Sequence, residues 1–331
     1  MAIPLQLGFA DYEQTYAKKK TRRQIFLEQM EATLPWDLFL SLIRPVYHQP
    51  SAKGGRPPFP LEVMLRIHLL QQWFTLSDPL MEEMLIDTPC FRRFAGIDLI
   101  DGRIPDETTI LNFRHLLEEH QIAEQVLEHV NQSLNEQGLL LKQGTILDAT
   151  IIHAPSSTKN KQGERDPEMH SVAKGNQWFF GMRCHIGVDA DSGLVHSVVS
   201  TAANVHELNT AADRIHGEER VIYGDSGHIG MEKRDAFKDC GAQMHIAMKP
   251  GQRRVLPDTP EGRLLDLMES AKAHLRAKVE HPFRIIKCQF GFRKLYYRGI
   301  RKNDLKLKML FALANLWMVR ERCSCLACIA K

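Results

Sequence analysis

The stretch GTILDATIIHA, residues 144–154, decides how the second half of the chain is interpreted. Most of its residues are apolar and several are β-branched, which predicts a buried strand over residues 145–152. Asp148 stands in the middle of this strand. Because an ionised carboxylate among apolar neighbours costs several kcal/mol unless a positive group compensates it, the stretch predicts either a cationic partner near Asp148 or a site that binds one.

The 331-residue chain is 44% apolar and 25% charged, which is typical of a globular protein with about two domains. Its first thirty residues are polar and basic, and no apolar run approaches the ~20 residues that a membrane span needs. Seven scattered cysteines, an odd number, favour reduced thiols over a disulfide scaffold. The composition therefore predicts a cytoplasmic protein without a membrane partner.

The charges are segregated along the chain, although the net charge is only +3. Residues 271–308 carry twelve Lys or Arg against two acids, whereas residues 101–140 carry eight acids against two Arg. A second basic cluster lies near the N-terminus and consists of Lys18, Lys19, Lys20, Arg22 and Arg23. Segregation on this scale indicates a surface that faces a polyanion; the alternative is that these basic segments are only solvated.

The hydrophobic period changes near residue 140. Helical spacing, with Asp106 as a cap and Ser77 and Asp78 as alternative caps, predicts helices over 60–74, 78–87 and 106 onward. From residue 144, strands alternate with helices, including a hairpin around DADSG (189–193) and a helix over NVHELNTAADRIHG (204–217), while residues 155–177 look polar and irregular. The fold class predicted is α/β, with a mixed sheet flanked by helices after an all-helical region.

Three acidic residues are candidates for one site. Asp148 lies late in its strand, Asp225 follows the short strand RVIYG, and Glu280 lies in a helical pattern. Arg276 and Lys287 share a helix face with Glu280, because the spacings are four and seven residues. Acids at strand ends beside a helix that also carries bases suit Mg²⁺ and a nucleic-acid phosphate.

Each of these residues also has a simpler interpretation. An Asp at a strand end is often a cap or a turn former, GDSG is a common turn sequence, and a helical Glu is usually solvated. Pro282 should kink the helix or mark its start. The fifteen histidines show no zinc-ligand spacing, and Cys323, Cys325 and Cys328 at the C-terminus lack the second half of a zinc ribbon.

Longer motifs give these residues a family context. LDATIIHAPSSTKN, HIGVDADSGL, TAANVHELN, YGDSGH and RAKVEHPFRIIKCQFGFRK together resemble the bacterial insertion-sequence DDE transposases of the IS-five group, and PLEVMLRIHLLQQWFTLSD resembles their N-terminal domain. The similarity runs from about residue 7 to 318. It implies an RNase H-like catalytic domain over 140–318, a helical DNA-binding domain over 45–137, a basic arm with a short helix over 1–44 and a tail over 319–331.

The resemblance also implies an activity and a site. Asp148, Asp225 and Glu280 would bind two Mg²⁺ or Mn²⁺ ions and catalyse cleavage at terminal inverted repeats and joining of 3′-OH ends to target DNA. The partners would be double-stranded DNA and a second copy of the chain in the synaptic complex, in the bacterial cytoplasm at the nucleoid. Two positions depart from the family pattern: Ala273 replaces a signature Tyr, and Ser226-Gly227-His228 replaces Ala-Gly-Tyr.

Other basic residues are candidates for DNA contact. The segment 290–298 interleaves aromatic residues with Arg293, Lys294 and Arg298, which suits flanking DNA or unpaired bases, unless the aromatic residues belong to the core. Arg92 and Arg93 could face DNA or cap a helix. Two alternatives to an active transposase remain open from the sequence alone: a terminal-repeat-binding repressor that no longer cuts, and a metal-dependent nuclease without strand transfer.

Overall fold

The computed structural model describes residues 19–48, 57–98, 102–161, 163–238 and 240–329. The chain divides into two compact units, Met1–Val126 with Leu316–Lys331, and Leu127–Asn315. Lys18 lies outside the described residues, as do the side chains of Cys323, Cys325 and Cys328. Helices and strands are numbered below in chain order.

The described part of the first unit is helical. Its helices are α1 (Arg22–Thr33), α2 (Trp36–Ile43), α3 (Leu61–Phe74), α4 (Asp78–Asp87), α5 (Pro89–Ala95), α6 (Glu107–Glu119) and the beginning of α7 (Ile122–Glu136). Ser77 and Asp106 cap α4 and α6 by accepting hydrogen bonds from the N–H groups of Leu80 and Thr109. The predicted helices over 60–74, 78–87 and 106 onward are therefore present.

Aromatic side chains fill the core of this unit. The buried Trp73 ring packs edge-on against Phe26 and Phe94, with centroid separations of 5.4 and 5.5 Å. Arg92 is only 5% exposed, and its guanidinium donates to the carbonyls of Leu85 and Ile86 at the end of α4. Of the two roles weighed for Arg92, the structure shows helix capping.

The second unit is built on a mixed sheet, six-stranded over the described residues. The strands are β1 (Gly144–His153), β2 (His170–Lys174), β3 (Gln177–Asp189), β4 (Val195–Ala202), β5 (Val221–Gly224) and β6 (Gln243–Ile246). The central β1 pairs antiparallel with β3 and parallel with β5, β6 extends the sheet beyond β5, and both β2 and β4 pair with β3. This α/β sheet after a helical region is the predicted RNase H-like arrangement.

The β3–β4 hairpin forms as the DADSG sequence predicts. Gly193 has φ +77°, a conformation that a glycine adopts without strain. The Asp189 carboxylate accepts hydrogen bonds from the backbone N–H and the hydroxyl of Ser192. The turn is thereby fixed at the end of the longest strand.

Two segments differ from the prediction. The helix predicted over 204–217 is wrong: the chain forms two short 3₁₀ turns, Glu207–Thr210 and Ala212–Arg214, and the Arg214 side chain donates hydrogen bonds to the carbonyls of Thr210 and Glu207 within this segment. The polar region 155–177 contains β2, which was missed because its pairing with β3 lies beyond the reach of local sequence pattern.

Helices follow β6 as predicted, with interruptions. They are α8 (Pro250–Arg254), α9 (Pro260–Arg276), α10 (Glu280–Arg284) and α11 (Ile300–Ile329). A 3₁₀ turn, Ala277–Val279, separates α9 from α10, so Pro282 falls in the first turn of α10, where its missing N–H is tolerated. None of the described helices combines the length and the apolar content needed to cross a lipid bilayer.

Candidate active site

Parallel pairing of β1 and β5 brings two of the predicted carboxylates together. Gly144 lies opposite Val221, and Ile146 lies opposite Tyr223. Continuing this register by two residues places Asp225, directly after β5, beside Asp148, because neighbouring strands lie about 4.8 Å apart. Asp225 acts electrostatically on the Asp148 carboxyl, as expected for close like charges.

The Asp148 carboxylate is in an unfavourable environment. Burial, with the negative charges of Glu207 and Asp225, raises its pKa to about 6 from an ordinary value of 3.8. A hydrogen bond of 2.8 Å from the Ala149 N–H and the positive charge of Arg276 oppose this shift without cancelling it. Burial is thus the main reason that the ionised carboxyl is disfavoured, and a bound cation would offset this cost.

Glu207 is a site residue that the sequence prediction missed. Among the described residues, the potential metal-ligand atoms of Glu207, Asp225 and His228 lie within 4.8 Å of one another. One Glu207 oxygen, Oε1, lies 3.4 Å from the Arg183 guanidinium. The other, Oε2, is buried and has no hydrogen-bond partner within the described part of the chain. A buried carboxylate oxygen without a donor suits a cation ligand.

His228 fixes the orientation of Asp225. The fully buried imidazole places Nδ1 2.8 Å from Asp225 Oδ1 and Nε2 3.4 Å from the Arg214 guanidinium. Because a guanidinium can only donate, Nε2 must accept and Nδ1 carries the proton that it donates to Asp225. Both ring nitrogens are thus engaged, so His228 orients the Asp225 carboxylate and has no free lone pair for a cation.

The environment of Asp225 differs from that of Asp148. Burial alone would raise the pKa of Asp225, but the hydrogen bond from His228, the charge of Arg276 and the Gly227 N–H, 3.0 Å away, outweigh it and lower the pKa. Gly224 allows this packing, since a Cβ atom there would lie 2.9 Å from the His228 Cβ. Asp225 is therefore ionised and held in place at neutral pH.

Arg214 connects the backbone of the whole cluster. Its guanidinium, fully buried, donates to the carbonyls of Asp148 and Glu207 at 3.3 and 2.9 Å. Nε donates to the Thr210 carbonyl at 3.1 Å, and a weaker contact of 3.5 Å reaches the Ile186 carbonyl. Burial lowers the pKa of Arg214 to about 10, which still leaves the group charged at neutral pH. Arg214 therefore links β1, β3, the 3₁₀ turns and His228.

Replacing His228 tests its role in orienting Asp225. We expect His228→Phe to weaken the apparent affinity for Mn²⁺ about 10–100-fold, as is usual when the hydrogen-bond partner of a metal ligand is lost. His228→Asn should lose less of the affinity for Mn²⁺, because the Asn amide N–H can still donate a hydrogen bond to Asp225. The measurement is Mn²⁺ binding by isothermal titration in the absence of DNA. Equal affinity of the Phe variant and the wild type would contradict the role assigned here.

Comparison with known families agrees with this geometry. The family described as "Transposase DDE domain" matches residues 140–316, more than half of the chain. The chain belongs to the DDE transposases. A second family, described as "Transposase domain (DUF772)", matches residues 14–116. The chain is therefore a DNA transposase, an enzyme of the class that cleaves DNA and transfers strands, and DNA is its substrate. Membership of the IS-five group stays a prediction.

The third predicted acid of the transposase, Glu280, lies on the surface. It is the first residue of α10, and its side chain is exposed. The group of ligand atoms within 4.8 Å found among the described residues includes neither Glu280 nor Asp148. The charge of Arg276, which precedes it by one turn, nevertheless acts on both Asp148 and Asp225. The role of Glu280 stays a prediction.

Lys287 of the transposase reaches the same strand as Asp148. Its Nζ donates to the Thr150 hydroxyl at 2.5 Å, two residues along β1 from Asp148. Burial lowers the pKa of Lys287, and the Asp148 charge partly opposes that shift. Arg276 carries a buried Nε without a hydrogen-bond partner among the described residues. Two bases with available positive charge therefore border the acidic cluster.

The remaining predicted DNA contacts of the transposase are exposed. In the first unit these are Lys19, Lys20, Arg22 and Arg23, and in the second unit Arg293, Lys294 and Arg298. Lys20 pairs with Glu28 at 2.7 Å, and the Arg23 guanidinium lies over the Phe74 and Phe91 rings. Phe290 and Phe292 are buried, whereas Tyr296 is 48% exposed. The aromatic residues of 290–298 thus divide between core and surface.

The donor set fits the divalent cation on which DDE transposases depend. Asp148, Asp225 and Glu207 offer carboxylate oxygens, which are the ligands that hard cations such as Mg²⁺ and Mn²⁺ prefer. The Glu207 Oε2 atom without a hydrogen-bond donor among the described residues and the desolvated Asp148 carboxyl could both gain from a cation at this point. His228 provides the hydrogen bond that orients the Asp225 carboxylate.

Proposed function

We propose that this transposase binds the terminal inverted repeats of an insertion sequence, cuts a phosphodiester bond at each end and joins the freed 3′-OH to target DNA. The observation that carries the proposal is the convergence of half-buried carboxylates: Asp225 lies beside Asp148 in the register of β1 and β5, Glu207 lies close to Asp225, and the pKa of Asp148 is about 6. Maintaining such a cluster costs stability, so a functional ligand must offset the cost when it binds.

Asp148, Asp225 and Glu280 are the proposed ligands of two Mg²⁺ or Mn²⁺ ions, and Glu207 is close enough to share them. Because Glu280 is exposed at the start of a five-residue helix, its side chain is free to change rotamer when a cation is present. When bound, the ions would supply charge stabilisation for the entering and leaving oxygens of an in-line phosphoryl transfer.

Arg276 and Lys287 would position the DNA backbone. The buried Arg276 Nε lacks a protein partner among the described residues, and a phosphate oxygen would provide one. Lys287 would contribute a point charge from its place beside Thr150. With the phosphate held, water displaces the 3′ oxygen of the element end, and the resulting 3′-OH then displaces the corresponding oxygen of a target phosphodiester. The phosphodiester bonds broken and formed in the second step are equal in number.

End recognition is proposed to lie in the first unit. Lys18, Lys19, Lys20, Arg22 and Arg23 precede or begin α1, and the four of them that the structure describes are exposed. Arg293, Lys294 and Arg298 would contact DNA that flanks the active site. Joining two element ends requires that they be held together, so we propose a homodimer in the synaptic complex.

A strand-transfer assay tests the proposed function. The substrates are a labelled duplex that carries the inverted repeat bordering the gene, and a supercoiled target plasmid with Mg²⁺ or Mn²⁺. Glu280→Gln is expected to remove both nicking and joining while binding to the repeat persists, because the substitution preserves shape but removes the ligand charge. Glu232→Gln, at an exposed acid of the 3₁₀ turn Met231–Lys233, is the matched control and should retain activity.

The outcomes separate the proposal from its alternatives. Binding without nicking by the wild type would indicate a repressor, and nicking without joining would indicate a nuclease. A Glu280→Gln variant that cuts as fast as the wild type would exclude Glu280 as a ligand and leave Glu207 as the third carboxylate.

A further inference from the structure

Trp178 is an exposed aromatic side chain that the active site described above does not use. It lies at the start of β3, and 75% of it is exposed; among the described large apolar side chains, only Val255 is more exposed, at 78%. Its cross-strand neighbour in β2 is Ala173, which is too small to cover an indole ring. The β2–β3 hairpin therefore presents an indole surface to solvent.

The register of the strands places Trp178 on the same face of the sheet as Asp148. Asp148 pairs with Ile186 in β3, and Thr150 pairs with Cys184. Directly paired residues share a sheet face, and alternate residues along a strand do so as well. Trp178 is eight residues from Ile186, an even number, so its side chain belongs to the face of Asp148 and Thr150.

A guanidinium accompanies the indole along this face. Phe180, the next residue of β3 on that face, lies beneath the exposed Arg165 guanidinium, 5.4 Å from its ring centroid. Lys174, at the end of β2, pairs with Gln177 and therefore belongs to the opposite face of the hairpin. The cation on the face of the indole is Arg165.

Two of the three acids in the adjoining loop are engaged by backbone donors, whereas Glu164 is exposed. Asp166 accepts from the Gly299 N–H at 2.7 Å, and Glu168 accepts from the Ile300 N–H at 2.8 Å. Their charge is directed toward residues 299–300. The surface beside Trp178 is therefore suited to an anionic strand that also carries flat aromatic groups, which is the chemistry of single-stranded nucleic acid.

We propose that Trp178 is a stacking platform for an unpaired base of the DNA strand that leaves the active site, with Arg165 holding a neighbouring phosphate. The inference rests on the proposed function, since it names the form of DNA that the same site accepts. At ~3.4 Å per strand residue, Trp178 is at most about 27 Å from Ile186, the residue that pairs with Asp148. About eight nucleotides cover this distance at the duplex rise of ~3.4 Å per nucleotide.

Binding to two DNA probes tests the platform. One is a blunt duplex of about 20 base pairs, and the other carries in addition a single-stranded tail of about eight thymidines, the length that the register permits. We expect the wild type to prefer the tailed duplex and Trp178→Ala to lose about tenfold of the affinity for it, as aromatic truncation usually does, with affinity for the blunt duplex unchanged. Trp178→Phe should retain most of the preference, and Val255→Ala is the matched exposed control.

Photocrosslinking locates the contact. A 5-iodouracil moved along the tail should give a covalent adduct at Trp178 with one preferred position, and mass spectrometry identifies the residue. An adduct at another residue, or an equal preference for the tailed duplex in the wild type and Trp178→Ala, would overturn the inference. If the wild type still cleaved terminal-repeat DNA, the proposed function would stand. A wild type that binds neither probe and cuts no terminal-repeat DNA would overturn both.

Discussion

Asp148→Asn is expected to abolish DNA cleavage and, at the same time, to raise the free energy of unfolding of the metal-free protein near pH 7.5. Loss of a metal-ligand charge removes several kcal/mol of transition-state stabilisation, which corresponds to a decrease of about 10³-fold or more in the cleavage rate. The gain in stability follows from burial and from Glu207 and Asp225, which disfavour the ionised carboxyl in the folded protein.

The pH dependence of this effect has a definite sign. The folded-state pKa of Asp148, about 6, lies above its ordinary value of 3.8, so ionisation destabilises the folded protein. The free-energy cost of ionising Asp148 in the folded protein is fully present above about pH 6 and declines as the pH falls from 6 toward 4. It is absent below the pKa of the unfolded state. With a discount for partial exposure, its size is about 1–3 kcal/mol at neutral pH.

Urea unfolding of the wild type and Asp148→Asn at pH 7.5 and pH 4.5 measures this difference. Asp148→Asn should have a higher free energy of unfolding than the wild type at pH 7.5. The difference between the two should be smaller at pH 4.5. Asp235→Asn, at a highly exposed carboxylate paired only with Lys238 on the surface, is the control and should show neither effect. An Asp148→Asn variant that is less stable than the wild type at pH 7.5 would show that the carboxylate is compensated within the protein.

Arg214→Met is expected to lower the free energy of unfolding by about 3–5 kcal/mol, the usual cost of breaking a buried charged network from one side. The guanidinium is fully buried and supplies hydrogen bonds to the carbonyls of Asp148, Glu207 and Thr210, all of which would lose a donor. The free energy of unfolding of Arg214→Lys should lie between those of the wild type and Arg214→Met, because the ammonium keeps the charge but cannot reach all of these acceptors.

Urea unfolding with far-UV circular dichroism gives the size of the effect. Arg263→Met is the matched control, since Arg263 is 65% exposed and pairs with Asp258, and it should change stability by less than about 1 kcal/mol. If Arg214→Met proves as stable as the wild type, Arg214 does not hold the cluster together.

The sequence was most informative where chemistry and local pattern coincide. Asp148 and Asp225 were predictable because each ends or interrupts a clear strand pattern, and parallel pairing of those strands then makes them neighbours. Lys287 lies in a π-helical turn, Ile285–Gln289, and its side chain reaches β1, while its shared face with Glu280 stays a prediction. These residues needed only the strand order to bring them together.

The other site residues depend on tertiary contacts that no local pattern encodes. Glu207 and Arg214 lie in a segment that was predicted to be one helix. Instead, the Arg214 side chain donates a hydrogen bond to the Glu207 carbonyl, and the segment forms 3₁₀ turns. His228 was visible only as a departure from the family pattern. The hydrogen bonds that orient Asp225 became clear only with the fold.

The most direct test of the central claim, that Asp148 and Asp225 converge to hold a divalent cation, is thermal unfolding of the DNA-free protein with and without Mn²⁺. Saturating metal should stabilise the wild type by about 2.7 kcal/mol at a concentration 100 times the dissociation constant. Asp148→Asn and Asp225→Asn should gain nothing, while Asp235→Asn should respond as the wild type does. A wild type indifferent to Mn²⁺, or two Asn variants stabilised as much as it is, would contradict the claim.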